Sequence, residues 1–125
     1  MNEHLLRTLE TATLEHAKWK TRLLDAARGK RIGLDLRQKA DCLSCEFGKW
    51  LENHREELGS HPEYRAVRTD HELFHMDVDD SLEKLRAGRG AEVERELQIE
   101  DGFRRKTARL ILDLRAWRDR VASSP

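Results

Sequence analysis

The sequence predicts an all-α protein, a four-helix bundle with an additional short helix that carries Cys45. Helix-forming residues dominate the chain, with only 2 prolines and 7 glycines among 125 residues. Three long stretches repeat apolar residues at intervals of three and four positions, which is the period of an amphipathic helix. No stretch alternates apolar and polar residues in the manner of a half-buried strand. Such a pattern is typical of helical bundles.

The first stretch predicts a helix from Asn2, which can cap its start, to Gly29, which can end it. Its buried stripe is formed by Leu5, Leu9, Ala12, His16, Trp19, Leu23 and Ala27. His16 is the one member of this stripe that is not apolar. Because an unpaired buried histidine is costly, His16 requires a hydrogen-bond partner or a metal.

Residues 29–44 mix glycine, charged and apolar residues, and we predict a loop there, with room for one helical turn. Ser44 is a suitable N-cap for the short helix "CEFGKWLENH" that follows, which ends before Gly59. Cys45 would then open this helix, and a helix N-terminus favours the thiolate form of a cysteine.

The next long helix is predicted to begin near Pro62, a residue suited to the first helical position, and to end at "GRG", residues 88–90. Its stripe is formed by Tyr64, Val67, His71, Phe74, Val78, Leu82 and Leu85. The last helix is predicted from Ala91 to about Ala122, with Gly102 weakening its middle. We therefore expect one domain over residues 1–122, followed by a frayed tail at 123–125.

Composition and charge restrict the function. Lys+Arg and Asp+Glu are equal at 24 each, so the formal net charge is zero. This balance argues against a nucleic-acid partner and against a polybasic membrane anchor. The apolar runs are too short to span a bilayer, and the first ten residues lack the pattern of a secretory signal. We therefore expect a cytoplasmic protein, in which two cysteines are more commonly metal ligands or redox thiols than a structural disulfide.

The stretch "HELFH" has the H-E-x-x-H pattern of zinc peptidases. Histidines four apart lie on one helical face, so His71 and His75 can bind one ion together. A peptidase also needs an open fourth position for the water that Glu72 would activate. If Cys45 fills that position, with His16 as a further ligand, the site is closed and does no hydrolysis. Each of these residues alone also fits an ordinary buried core.

The stretch "CEFGKWL", residues 45–51, resembles the Cys-x-Phe-Gly-x-Trp-Leu signature of the bacterial chemoreceptor zinc-binding (CZB) domain. Members of that family also carry a histidine on the first helix and a later His-x-x-x-His pair, often with Phe before the second histidine. Here "EHAKWK" around His16 and "HELFH", with Phe74 before His75, occur in the same order. The resemblance covers residues 16–75 by motif and the whole length by helix pattern.

The resemblance implies one buried zinc ion held by three histidines and one cysteine, namely His16, Cys45, His71 and His75. It implies that Gly48 permits close approach of helices or a partner. It also implies aromatic walls around the site, formed by Phe47, Trp50, Trp19 and Phe74.

A domain of this kind is implied to be sensory or regulatory, and not an enzyme. It would respond to zinc availability or to oxidation of Cys45, for example by hypochlorous acid. It would signal by repacking of the bundle to a partner such as a chemoreceptor or a diguanylate cyclase. Members of the family commonly form homodimers, so the resemblance implies a homodimer here.

Cys42 keeps another hypothesis open. With Cys45 it forms a C-x-x-C motif, the arrangement of thiol-disulfide enzymes, although the βαβ unit that usually accompanies it is missing. Cys42 lies outside the family signature, but it can act as the partner thiol if an oxidant attacks Cys45. A thiol-disulfide redox protein and a metallopeptidase are therefore the alternatives to a zinc-binding sensor.

Overall fold

The computed structural model describes residues 2–29, 45–98 and 103–123, and it is 89% helical. Within these ranges the chain contains helices and no strand, which confirms the predicted all-α bundle. The helices are α1 (Asn2–Ala17), α2 (Trp19–Ala27), α3 (Glu46–Asn53), α4 (Arg55–Leu58), α5 (Pro62–Arg86), α6 (Gly90–Gln98) and α7 (Phe103–Ser123).

Local chemistry explains several helix boundaries. Pro62 occupies the first turn of α5, where its fixed φ and missing N–H are favourable. Gly29 and Gly88 follow the ends of α2 and α5 with φ of +96° and +79°, a left-handed conformation that glycine adopts without steric cost. Lys18 separates α1 from α2 but keeps right-handed helical dihedral angles, so the predicted first helix is present as two consecutive segments.

Two predicted boundaries differ from the structure. Cys45 occupies the N-cap position of α3, with φ −69° and ψ 140°, so this helix begins one residue later than the Ser44 cap predicts. The last predicted helix is present as α6 and α7, and α7 extends to Ser123, one residue into the predicted tail. Several predictions lie outside the described residues: the loop between 30 and 44, with Cys42 and Ser44, and the weakening at Gly102.

The two longest helices, α5 and α7, run antiparallel to each other. Arg120 near the end of α7 pairs with Glu63 at the start of α5, and Lys106 near the start of α7 lies 2.9 Å from Asp77 on α5. Helix α1 packs mainly against α7, and α2 packs mainly against α6. Together they enclose a core that includes Leu9, Leu23, Tyr64, Val67, Phe74, Val78, Leu82, Val93, Leu97, Leu110, Leu114 and Trp117. None of the described helices has the length and apolar character needed to cross a bilayer.

Helix α3 is held in place by tertiary contacts. Phe47 and Leu51 are buried against the core, and the Tyr64 hydroxyl of α5 donates a hydrogen bond to the Leu51 carbonyl oxygen at 2.5 Å. An isolated helix of eight residues is not stable in water, so these contacts supply most of its stability. They place the N-terminus of α3, with Cys45, beside α1 and α5.

Candidate metal centre

Three separate elements bring the four candidate ligands together. His16 lies at the end of α1, Cys45 at the start of α3, and His71 and His75 one turn apart on α5. One ligand atom from each residue lies within 4.8 Å of those of the other three. All four residues are buried, with at most 7% of their surface exposed. The residues that sequence reasoning singled out therefore meet at one point inside the bundle.

The spacing of these atoms fits tetrahedral zinc. Nε2 of His16 and Nε2 of His71 are 3.1 Å apart, and Sγ of Cys45 lies 3.6 Å from the first and 3.5 Å from the second. Zinc bonds of about 2.3 Å to sulfur and about 2.05 Å to nitrogen, at tetrahedral angles, place two nitrogens about 3.3 Å apart and each about 3.5 Å from the sulfur. The donor types, and the distances among the donors of His16, Cys45 and His71, thus agree with one zinc ion, and the fourth donor, on His75, lies within 4.8 Å of these three.

The proton on His16 is placed so that its inner nitrogen is available to a metal. Nδ1 of His16 lies 2.7 Å from the carbonyl oxygen of Ala12, one helical turn earlier. Because a carbonyl oxygen only accepts, Nδ1 carries the proton and Nε2 keeps its lone pair. Metal-binding histidines are commonly oriented by such a second hydrogen bond. The sequence pattern did not identify this role of Ala12, since every helical histidine has a carbonyl four residues earlier.

Burial keeps the histidines of the site neutral. Loss of hydration lowers the pKa of His16 from 6.5 to about 4; the Ala12 hydrogen bond opposes this shift and the nearby His75 adds to it. Loss of hydration also lowers the pKa of His71 to about 2, with His16 and His75 acting in the same direction. Neutral imidazole is the form that binds a metal. At neutral pH these two side chains therefore have the correct protonation state for a metal centre.

Acid is expected to destabilise the protein when a chelator is present. Because the pKa of His16 is lower in the folded state, unfolding takes up protons below pH 6.5, and stability is lost as the pH falls toward 4. In this window each buried neutral histidine lowers the free energy of unfolding by about 1.4 kcal/mol for each unit that the pH falls. Urea unfolding at several pH values would measure the slope. We expect a smaller slope for His16→Gln than for the wild type; equal slopes in the two proteins would contradict this expectation.

Aromatic rings surround the imidazoles. Phe47 and Phe74 lie edge-on to His16, with ring centroids 5.9 Å and 5.3 Å away. Trp19 lies edge-on to His75 at 6.5 Å. The three rings are buried, with 5% of their surface or less exposed. Their position limits the access of water to the nitrogens, which is the physical origin of the lowered pKa values.

The fourth predicted wall residue, Trp50, stacks on neighbouring rings along α3. Trp50 is half-buried and stacks on Phe47 at 5.9 Å and on His54 at 4.3 Å. Gly48 is buried in α3, and its predicted role in close approach stays a prediction. His54 is half-buried because of this stacking.

Of the remaining two candidates, Glu72 does not join the cluster. The carboxylate of Glu72 is 55% exposed and lies 3.6 Å from the Arg68 side chain, so it is directed toward solvent. Cys42 lies outside the described residues, and its distance from Cys45 stays untested.

A groove of about 710 Å³ reaches the cluster from the side of α1 and α3, and Cys45 and His16 form part of its lining. Arg7, Arg22 and Lys49 are among the other side chains that line it. In the described part of the chain, this groove offers small molecules a route to the side of Cys45.

A buried carboxyl group lies next to the cluster, on the side of α5 that faces α7. Loss of hydration raises the pKa of Asp70 to about 7, and the hydrogen bond and negative charge of Asp113 act in the same direction. Arg109, 3.9 Å away, opposes the shift. Burial between α5 and α7 and the neighbouring Asp113 therefore favour the protonated form of the Asp70 carboxyl group. The sequence carried no signal for this pair, because only the packing of α7 brings Asp113 to Asp70.

Fold and site together define a helical metal-binding domain whose donors, three imidazoles and one thiol, are those of zinc proteins. Comparison with known families matches residues 16–80, more than half of the chain, to the chemoreceptor zinc-binding domain, CZB. The protein belongs to this family, as the resemblance predicted, and zinc is its metal. Searches of curated proteins and of solved structures found no match.

Proposed function

We propose that this chain is a sensory module in which His16, Cys45, His71 and His75 bind one zinc ion. Loss of the ion, or oxidation of Cys45, would change the packing of the bundle. One observation carries the proposal: four buried donors from α1, α3 and α5 converge within 4.8 Å, and those of His16, Cys45 and His71 lie at distances that suit tetrahedral zinc. Membership of the CZB family supports it.

The same donors support a binding role over a catalytic one. A catalytic zinc site keeps one position open for water, whereas a structural site fills all four positions with protein ligands. Here the sulfur of Cys45 already lies 3.6 Å from His16 and 3.5 Å from His71. Glu72, which would act as the base of a peptidase, faces solvent beside Arg68. We therefore propose that the protein is not an enzyme.

Bound zinc would supply a cross-link between three helical elements. Without that link, α3 keeps the buried side chains of Phe47 and Leu51 and the hydrogen bond from Tyr64 to the Leu51 carbonyl. Phe47 and Leu51 both lie inside α3, whereas Cys45 precedes the first residue of this helix. The start of α3 is thus the part of the bundle most sensitive to the state of the site. Its movement is the proposed change in packing.

Cys45 is the residue proposed to react with oxidants. The groove between α1 and α3 leads to it, and its N-cap position favours the thiolate. A thiolate and hypochlorous acid give a sulfenic acid and chloride: the oxygen is transferred to sulfur, which loses two electrons, and the chlorine gains them. Because the thiolate is the form that binds a metal, this reaction removes one of the four donors.

We further propose that the output passes to a bacterial signalling partner in the cytoplasm, such as a chemoreceptor or a diguanylate cyclase, and that two copies of the chain pair. The family is named for its association with chemoreceptors. The zero net charge supports the absence of nucleic-acid and membrane partners. We propose a single domain over residues 1–122.

Treatment of the zinc-loaded protein with hypochlorous acid tests this function. We expect zinc release in proportion to oxidation of Cys45, together with faster amide hydrogen exchange in α3. A zinc-sensitive dye and mass spectrometry of Cys45 would measure both. Among the described residues Met76, a thioether with 65% exposure, is a competing target, so Met76→Leu serves as a control and should release zinc equally. Zinc that stays bound after Cys45 is oxidised would contradict the proposal.

A further inference from the structure

A second contact, away from the metal centre, joins α3 to α5 and α7. The ring of Trp50 on α3 lies against that of Trp117 on α7, with centroids 6.3 Å apart and planes inclined by 59°. Trp117 in turn lies edge-on to Tyr64 at the start of α5, 6.2 Å away. The Tyr64 hydroxyl closes the cluster with its hydrogen bond to the Leu51 carbonyl oxygen of α3. Three helices therefore meet at a place that the candidate zinc ligands do not occupy.

Phe47 connects this cluster to the metal centre. Its ring lies edge-on to His71, with centroids 5.3 Å apart, and it stacks on Trp50 at 5.9 Å with 11° between the two planes. Phe47 and Trp50 are three residues apart, so they occupy the same side of α3. Rings in contact thus extend from the imidazoles of the site, through Phe47 and Trp50, to Trp117 on α7.

Helix α3 can carry a displacement from one of these places to the other. The Cys45 carbonyl oxygen accepts a hydrogen bond from the Lys49 N–H at 3.0 Å, so the backbone of Cys45 belongs to the first turn. Trp50 follows Cys45 by five residues, which is about 8 Å along the helix axis. Packed helices slide as units in many conformational changes, since their internal hydrogen bonds resist bending. A shift at Cys45 therefore reaches Trp50.

Trp50 is the member of this row of rings with room to move. Trp117 and Tyr64 are buried, whereas Trp50 is half-buried and lines the groove between α1 and α3. Among the described residues, the indole N–H of Trp50 is buried without a hydrogen-bond partner. A buried donor in this state carries a free-energy cost, which a shift toward the groove would relieve by admitting water. Contacts with neighbouring rings therefore hold Trp50 in a position that its own N–H does not favour.

We propose that α3 transmits the state of the metal centre to α7 through the contact between Trp50 and Trp117. When Cys45 is no longer a ligand, α3 shifts, the Trp50 ring moves toward the groove, and Trp117 loses a packing partner. The turns of α7 around Trp117 then open more often. The proposal rests on the proposed function and deepens it, since it names the pair of residues by which a change at the zinc site reaches the last helix.

Amide hydrogen exchange followed by mass spectrometry tests the transmission, with zinc-loaded protein compared with chelator-treated protein. In the wild type we expect removal of zinc to raise the exchange rate over residues 114–120 at least about fivefold, the lower end of couplings between two sites. In Trp50→Leu the difference should fall below about twofold, because Trp117 lacks the contact in both states. Trp50→Phe keeps a ring at this position and should restore most of the difference.

The opposite end of α7 supplies an internal control. Phe103 lies 5.4 Å from Phe74, which is in contact with His16, so this end of the helix has its own route to the metal centre. The response of residues 103–108 to zinc removal should be equal in the wild type and in Trp50→Leu. Circular dichroism and zinc content of the same samples show whether each variant is folded and loaded, and Trp50→Met replaces Trp50→Leu if the latter does not fold.

The outcomes separate this proposal from the proposed function. A response over residues 114–120 that is lost in Trp50→Leu and kept in Trp50→Phe, with equal zinc in all three proteins, supports the transmission. A wild type that binds and releases zinc without a change over these residues would overturn the transmission and leave zinc binding intact. An equal response in the wild type and Trp50→Leu would also overturn it, because α7 would then respond by another route. A wild type that binds no zinc would refute both proposals.

Discussion

Replacement of Cys45 by alanine is expected to abolish zinc binding at micromolar protein concentrations. The sulfur lies within 3.6 Å of two imidazole nitrogens, and no other donor among the described residues joins the cluster. Loss of an outer hydrogen bond to a ligand already costs about 10–100-fold in metal affinity, so loss of a ligand should cost more than about 100-fold. Elemental analysis of purified protein, wild type against Cys45→Ala, is the measurement.

Cys42→Ala is the matched control for this substitution. Each variant loses one thiol, at positions three apart in the sequence, and Cys45 is the thiol found in the buried cluster of described residues. We expect Cys42→Ala to keep the zinc of the wild type, and circular dichroism should show that both variants remain helical. If Cys45→Ala kept its zinc in full, the fourth position would be open to water. The hypothesis of a closed site would then be wrong, and an assay for peptide hydrolysis would be required.

Removal of zinc by a chelator is expected to reduce the free energy of unfolding by about 4 kcal/mol or more. A ligand that binds only the folded state stabilises it by about 4 kcal/mol when its free concentration is about 1,000 times the dissociation constant. This decrease is comparable to the loss of about 2–5 kcal/mol expected when a buried leucine such as Leu114 is replaced by alanine. The loss of stability should extend across the bundle, because His16, Cys45 and His71 belong to three different elements. Urea unfolding followed by circular dichroism, with zinc or with chelator, measures the difference.

The chelator also needs a control, since it can act on the protein in other ways. Cys45→Ala offers one: a variant that has already lost its zinc should unfold at the same urea concentration with and without the chelator. An unchanged midpoint in the wild type would mean that the ion does not stabilise the folded state. An equal decrease in wild type and variant would show that the chelator acts elsewhere.

The helical period determined much of the metal centre from the sequence. A four-residue spacing places His71 and His75 on one face whatever the rest of the chain does. His16 occupies the buried stripe of the first helix, where a polar side chain needs a partner. The signature around Cys45 then led to the family, and the match over residues 16–80 confirmed it. The helical period and the motif around Cys45 each involve residues a few positions apart, so both can be recognised in the sequence alone.

Local signals were less reliable at the ends of helices and at half-exposed positions. Ser44 is a better N-cap by side-chain chemistry, but Cys45 occupies that position in the structure. Helix α3 is held in place by the packing of Phe47 and Leu51 and by the hydrogen bond from Tyr64. Several such contacts stabilise the helix more than the choice between two cap residues does. His54 is half-buried for a similar reason, because the ring of Trp50 covers it.

The sequence by itself determined the fold class, the family and the residue types of the site, because helical period and motif order are local. Only the tertiary structure decided that four donors from three elements meet within 4.8 Å, and that burial lowers the pKa of His16 to about 4. It also decided that Asp113 of α7 lies beside Asp70 of α5. These relations depend on how distant helices pack and how far water is excluded, and no period or motif encodes either.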